Sequence, residues 1–148
     1  MIQTNELRLG NLLLANGITS IVTSVSKDKV EAASLMAGEG QEVVYENLEY
    51  LPLNEEWMNR FAGNETGSIT MSELERTTDS SDIIILSTIE CYLHEDGFLR
   101  VCAYEYDKEP DGSLNISDDV ITLGYNHIRH AHQLQNLYFD LCGKELQF

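Results

Sequence analysis

Three histidines stand close together near the end of the chain, His127, His130 and His132, and the first two fall three residues apart. On a helix that spacing puts two imidazoles on one face, which suits a divalent cation. A complete site needs a third ligand, and neither a His-Glu-x-x-His motif nor a cysteine pair supplies one. Capping and surface roles are the plainer reading, with His130 nearer the apolar side of the helix and His132 facing water. A second constellation, Asp107, Glu109, Asp111, Gly112 and Asp118, fills positions 1, 3, 5, 6 and 12 of a calcium-loop template. It departs from the template where Pro110 stiffens position 4 and where Asp118 replaces the bidentate Glu. Its flanks read as strands rather than helices, and Pro-Asp-Gly is an ordinary turn signal, so a solvated hairpin loop is the plainer reading here too.

Other chemistries lack their parts. Nucleophilic catalysis needs a Ser, Cys or Thr beside a base with a further orienting group, and no Gly-x-Ser-x-Gly elbow is present. The ten glycines are scattered singly at turns, so no phosphate-cradling loop is legible. No catalytic or cofactor-binding residue is assigned, and no cofactor is expected. Cys91, Cys102 and Cys142 form no paired motif and no disulfide framework, and read as reduced, buried thiols.

Charge narrows the partners. The chain of 148 residues carries a formal net charge of -16, and residues 31 to 120 alone hold 21 acids against 4 bases. A phosphate backbone is repelled by such a field, so direct nucleic-acid binding is not expected. A solvated, solubilising surface is the simplest account, and competition with nucleic acid for a basic partner is the sharper one. The first eleven residues show no basic or apolar leader, and no apolar run approaches the roughly 18 residues that span a bilayer. A cytoplasmic protein with no membrane association is expected.

The elements that would position these residues follow from pattern. Leu12 to Ala15, Ile18 to Ser26 and Lys29 to Ser34 are short strand-like runs, the first two joined by Asn16-Gly17, a strong hairpin signal. Gly38 to Gly40 mark a loop before Glu42 to Glu46 and Leu48 to Leu51. Together they suggest a small SH3-like barrel or curled sheet. Asn54 is placed to cap a short helix whose Trp57, Met58 and Phe61 plug a core. Ser68 to Asp82 is polar and reads as a loop or linker. Ile83 to His94 and Phe98 to Tyr106 flank Glu95-Asp96-Gly97 as a long hairpin, and Val120 to Gly124 returns as a third strand. Ile128, Ala131, Leu134, Leu137, Tyr138 and Leu141 recur at helical spacing, which predicts a helix from His127 to Cys142, with Asn126 as N-cap and Gly143 as C-cap.

The same closing residues carry a resemblance. HQLQNLYFDLCGKEL, His132 to Leu146, is similar to the last segment of a family of small uncharacterised proteins from gut Bacteroidetes and their prophages. Asn5 to Asn11 (NELRLGN) resembles that family's opening, and Leu51 to Phe61 (LPLNEEWMNRF) its middle helix. The three stretches cover about a quarter of the chain. Ala62-Gly63 departs from the family's Gly-aromatic ending. The resemblance implies an intracellular bacterial protein but transfers no activity and no functional residue.

The expectation is an α+β protein. Residues 1–62 form a β-rich unit with a terminal helix, 63–82 a loop or linker, and 83–148 an antiparallel meander packed by the C-terminal helix; the two units make one domain or two. The leading functional reading is a non-enzymatic binding or accessory protein acting on an unknown protein partner. The alternatives are a small enzyme using the His127/His130 region with a carboxylate, and an acidic mimic of nucleic acid.

Overall fold

The computed structural model describes residues 2–27, 29–35, 48–77, 84–109, 111–116 and 121–148, with residues 75–77 described by their backbone alone. The chain is α+β and divides into two compact units, Met1–Leu53 with Ile128–Gln147, and Asn54–His127 with Phe148.

The first unit is built on a four-stranded antiparallel sheet of β1 (Leu12–Ala15), β2 (Ile18–Val25), β3 (Val30–Ser34) and β4 (Leu48–Tyr50), in the order β3-β2-β1-β4. Asn16 (φ 51°) and Gly17 (φ 76°) both take the left-handed conformation between Ala15 and Ile18. Two such residues make the tight turn whose twist matches paired strands, as their sequence predicts. Leu13, Ala15, Val22, Val30 and Ala32 pack with Leu7 into a core on one side of the sheet. The expected small barrel does not close among the described residues: β3 and β4 remain at opposite edges. Among the described residues β4 pairs with β1 over three positions, a short edge, and closing a barrel needs strands that tilt and stagger against one another. The expected loop at Gly38 to Gly40 and the strand at Glu42 to Glu46 lie outside the described residues.

The C-terminal helix α2 (Ala131–Cys142) departs from expectation twice. It packs on β1 of the first sheet, where the expectation assigned it to the later meander. It also begins at Ala131 rather than His127, with His130 rather than Asn126 at the N-cap. The physical cause is that the preceding backbone is already committed. Leu53 N–H donates to Arg129 O and Ala131 N–H to Leu51 O, both at 2.9 Å, bracketing an antiparallel bridge between Pro52 and His130. The prolyl nitrogen has no hydrogen to give, and the bridge uses the amides on either side of it. Gly143 closes the helix at φ 66° as its position predicts.

Two polar side chains fix α2 to β1. Beyond the end of β4, β1 has main-chain groups with no strand partner. Gln135 supplies one: its Oε1 accepts from Leu12 N–H at 2.8 Å and its Nε2 donates to Gly10 O at 3.1 Å. Asn136 continues the pattern, accepting from Asn11 Nδ2 at 3.0 Å and donating to Glu6 O at 2.9 Å.

The second unit opens with α1 (Glu55–Ala62), capped as expected by the Asn54 side chain accepting from Trp57 N–H and closed by Gly63 at φ 64°. This helix packs on the second sheet's strands, β5 (Ile69–Thr77) and β6 (Ile84–Leu93). Trp57, Met58 and Phe61 are buried, and the Phe148 ring meets Trp57 and Phe61 edge-on. β5 stands in the first part of the loop expected over Ser68 to Asp82, and residues 78–82 of that stretch lie outside the described residues. Its polar composition hid a strand because a bulge between Thr70 and Ser72 breaks the alternation, while pairing with β6 runs from Ile69↔Cys91 to Thr77↔Ile84. Gly67 leads into it at φ 63°, where a Cβ would stand 2.8 Å from Asn59 Oδ1. β6 and β7 (Leu99–Lys108) form the expected hairpin, with Leu93↔Leu99, Cys91↔Val101 and Ile89↔Ala103 in register on one face. β9 (Ile121–Tyr125) then pairs with the start of β7, and β8 (Leu114–Ile116) with its end. Among the described residues no helix is long and apolar enough to cross a membrane.

Replacing Gln135 with Ala leaves the Leu12 amide and the Gly10 carbonyl without their partner. We expect a loss of about 2–4 kcal/mol, since each unpaired buried group costs about 1–3 kcal/mol. Urea unfolding measures it, and a loss below half a kcal/mol would show that water replaces the amide freely.

Candidate functional site

The histidines nominated by spacing are not gathered into a ligand set. His127 is exposed and sets its ring against Tyr125, with centroids 5.8 Å apart. His130 lies beside the Gln133 side chain, whose Oε1 reaches back to the amides of Arg129 and His130 at 2.9 and 3.1 Å. Among the described residues no three metal-ligating side chains converge. The acidic loop is a tight hairpin turn: Asp111 Oδ1 accepts from Ser113 N–H at 2.9 Å, which holds its carboxyl below the usual range, and Glu109 Oε1 accepts from Asn115 Nδ2. Asp107 stands on β7, and Asp118 and Pro110 lie outside the described residues.

His132 overturns its expectation outright. It is fully buried rather than facing water, and neither ring nitrogen has a hydrogen-bond partner among the described residues. Its ring stacks on Tyr50 at 4.6 Å between centroids, with His130 on the same tyrosine at 4.9 Å. The tyrosine is itself anchored, its hydroxyl donating to Glu6 Oε2 at 2.7 Å and accepting from Gln3 N–H at 3.0 Å. Burial, and then the neighbouring His130, push the His132 imidazole down to about 4, with Glu6 pulling weakly the other way. Burial likewise raises the Tyr50 hydroxyl, so it remains a donor to the Glu6 carboxylate. This is a packing centre: a neutral imidazole without an orienting partner has no means of directing a proton.

The three cysteines are free thiols. Cys91 and Cys102 are buried, whereas Cys142 is half-buried, short of the full burial expected. Cys102 Sγ lies 3.3 Å from Thr122 Oγ1 and 3.9 Å from the Tyr92 hydroxyl, on the sheet face that also carries Tyr104.

The surface that does stand out was missed by motif reasoning. Register places Ile69, Cys91, Val101 and Leu123 in one cross-strand row on one face of the second sheet. Ile89, Ala103 and Ile121 form the next row, and Leu74 with Ser87 and Glu105 the row after. Residues in register share a face. Near the β6–β7 turn this face is buried, with Cys91 and Leu99 at 0% exposure and Ile69 at 4%. Farther along it opens, with Ile121 64% exposed, Leu74 62% and Ile89 39%, and at the β9 edge it is open even in the first row, where Leu123 is 54% exposed. Length explains the change along the strands. An eight-residue helix is about 12 Å long, and a ten-residue strand about 33 Å. α1 therefore covers one end of the face. The sequence signal was available in the apolar residues of Ile121 to Leu123 and in Leu74, isolated within a polar run.

No family model, curated protein or solved structure matches the chain.

The His132 shift gives a signed pH dependence. Its folded value near 4 lies below the ordinary 6.5, so the unfolded chain takes the proton first. Stability is fully present above pH 6.5 and falls as pH drops from 6.5 to 4, by about 1.4 kcal/mol per pH unit and about 3 kcal/mol in total. His132→Phe keeps a ring against Tyr50 and removes the titration. Denaturant unfolding across that window should show a shallower slope for the variant, and equal slopes would mean that the buried imidazole does not titrate on unfolding.

Proposed function

We propose that the chain is a non-enzymatic binding protein of bacterial or prophage origin that acts through protein contacts. The apolar part of the second sheet left open beyond α1 is the surface it uses. The observation that carries this reading is the cluster of Leu74, Ile89, Ile121 and Leu123, each more than a third exposed on one face. Contiguous apolar surface of this kind marks interaction sites in proteins that remain monodisperse. Glu105 and Asp107 continue the same face along β7. With the acidic middle of the chain around them, they favour a partner that is apolar at its centre and basic at its rim. Such charges set the on-rate and exclude acidic competitors more than they set affinity.

The other two readings draw less support. An enzyme at His127 and His130 would need a carboxylate beside them, and the described neighbours of His130 are Gln133, Tyr50 and His132. A nucleic-acid mimic needs carboxylates ranked along one face. On the second sheet Glu105 and Asp107 fall on one face and Glu73 and Glu90 on the other.

The test is affinity capture from a gut Bacteroidetes lysate with the wild type and with the double variant Leu74→Lys/Ile89→Lys, which keeps the fold's buried residues. A stoichiometric protein held by the wild type should be lost by the variant, by at least tenfold in Kd once purified. Its binding should also weaken as salt is raised from 50 to 500 mM. Retention by both forms would remove this face from the account.

A further inference from the structure

β9 is, like β8, a thinly protected strand at the edge of the second sheet. Four of its five residues are exposed, from Ile121 to Gly124, and among the described residues it pairs with β7 alone. Its outer main-chain groups have no described strand beside them. Natural edge strands are guarded by charges, prolines or bulges, and Ile-Thr-Leu-Gly-Tyr contains none of the first two and pairs with β7 without a register shift. An edge of this kind is a template for another strand.

The strand's own sequence says which strand fits. In an antiparallel pairing of two copies centred on Leu123, Leu123 meets its own counterpart and Ile121 meets Tyr125. Thr122 meets Gly124 on the opposite face. Every pair on one face is apolar with apolar, and every pair on the other is small with small, which is the self-complementarity that an isologous two-fold contact requires. A one-residue shift would set apolar side chains of one copy against the Thr and Gly face of the other. The segment itself carries no charge within a chain of net charge -16. The contact would join β5-β6-β7-β9 of one copy to the same four strands of the other in a continuous eight-stranded sheet, bringing the two open apolar faces into line. We propose that two copies of this chain associate by antiparallel pairing of their β9 strands about Leu123. This goes beyond the partner-binding reading and does not depend on it.

Sedimentation across a concentration series tests the association, and a designed crosslink tests the register. Wild-type protein should move toward twice its 16.7 kDa mass as concentration rises, and further at 500 mM than at 50 mM salt, because salt screens the like charges. Leu123→Lys should weaken association at least tenfold without moving the thermal midpoint of the dilute monomer, while Leu74→Lys should leave it unchanged. Under mild oxidation Leu123→Cys should form a disulfide-linked dimer, and Leu74→Cys and the wild type should not. A wild type that remains monomeric at every concentration and salt overturns the proposal, as does a dimer that survives Leu123→Lys. A monomer that loses a captured partner on Leu123→Lys would also overturn it, and would assign the edge to a foreign strand while leaving the partner-binding reading intact.

Discussion

The first unit depends on one side-chain amide acting as a piece of backbone. A carboxamide carries the same donor and acceptor as a peptide group, and Gln135 presents both to β1 where β4 has already ended. Leu12 is fully buried, so its N–H has no access to water and must find a protein acceptor. The helix is therefore held in register and not merely in contact: an apolar face can slide by a turn against a sheet, but a two-point amide pair cannot. Asn136 extends the constraint to Glu6 and Asn11, and Asn11 Oδ1 in turn accepts from Arg8 N–H at 2.8 Å, which shapes the turn before β1.

That constraint explains the cost accepted at His132. With Gln135 fixed on β1 and the backbone before Ala131 fixed against Leu51 and Leu53, the side chain at position 132 has little freedom in where it points. It lands on Tyr50, whose partner strand is β1 as well. Stacking two flat rings recovers dispersion and excludes water, while leaving both imidazole nitrogens without a partner among the described residues. An unsatisfied group of this kind is tolerated where several surrounding contacts over-determine the position.

Much of the local structure was legible, and the long-range partners were not. The Asn16-Gly17 hairpin, the Asn54 cap, the Gly63 and Gly143 helix ends and the shared face of the β6–β7 hairpin all follow from residues within a few positions of one another. The partner of α2 is more than a hundred residues away in sequence, and its buried side includes Gln135, which a hydrophobic stripe passes over. Ala131, Leu134, Gln135 and Tyr138 do follow the i, i+3, i+4, i+7 spacing of a core face. The inferred stripe holds at Ile128, Ala131 and Leu134, which are buried, but it passes over Gln135 and runs on to Leu141, which is 56% exposed. In the first unit Glu6 to Asn11 bonds to Gln135 and Asn136, and Leu51 and Leu53 bond to Ala131 and Arg129, just ahead of the helix's first buried turn. The candidate surface was illegible for a different reason, since it is defined by the length of a helix relative to a sheet and no motif encodes that.

The charge of the chain and the open face of its second sheet belong to the same balance. An apolar sheet face ending in an unguarded edge strand favours indiscriminate pairing, because main-chain hydrogen bonds and apolar area are attractive to almost any extended segment. A net charge of -16 opposes that without touching the face itself, since the repulsion acts over a Debye length of roughly 8–10 Å. Approach is then slow for acidic chains and for most copies of the protein in a random orientation. It is fast for a basic surface, and it is permitted where uncharged residues such as those of β9 meet head-on. Under the proposed binding role, selectivity would arise from long-range repulsion acting on every encounter and short-range attraction confined to the uncharged open face and edge.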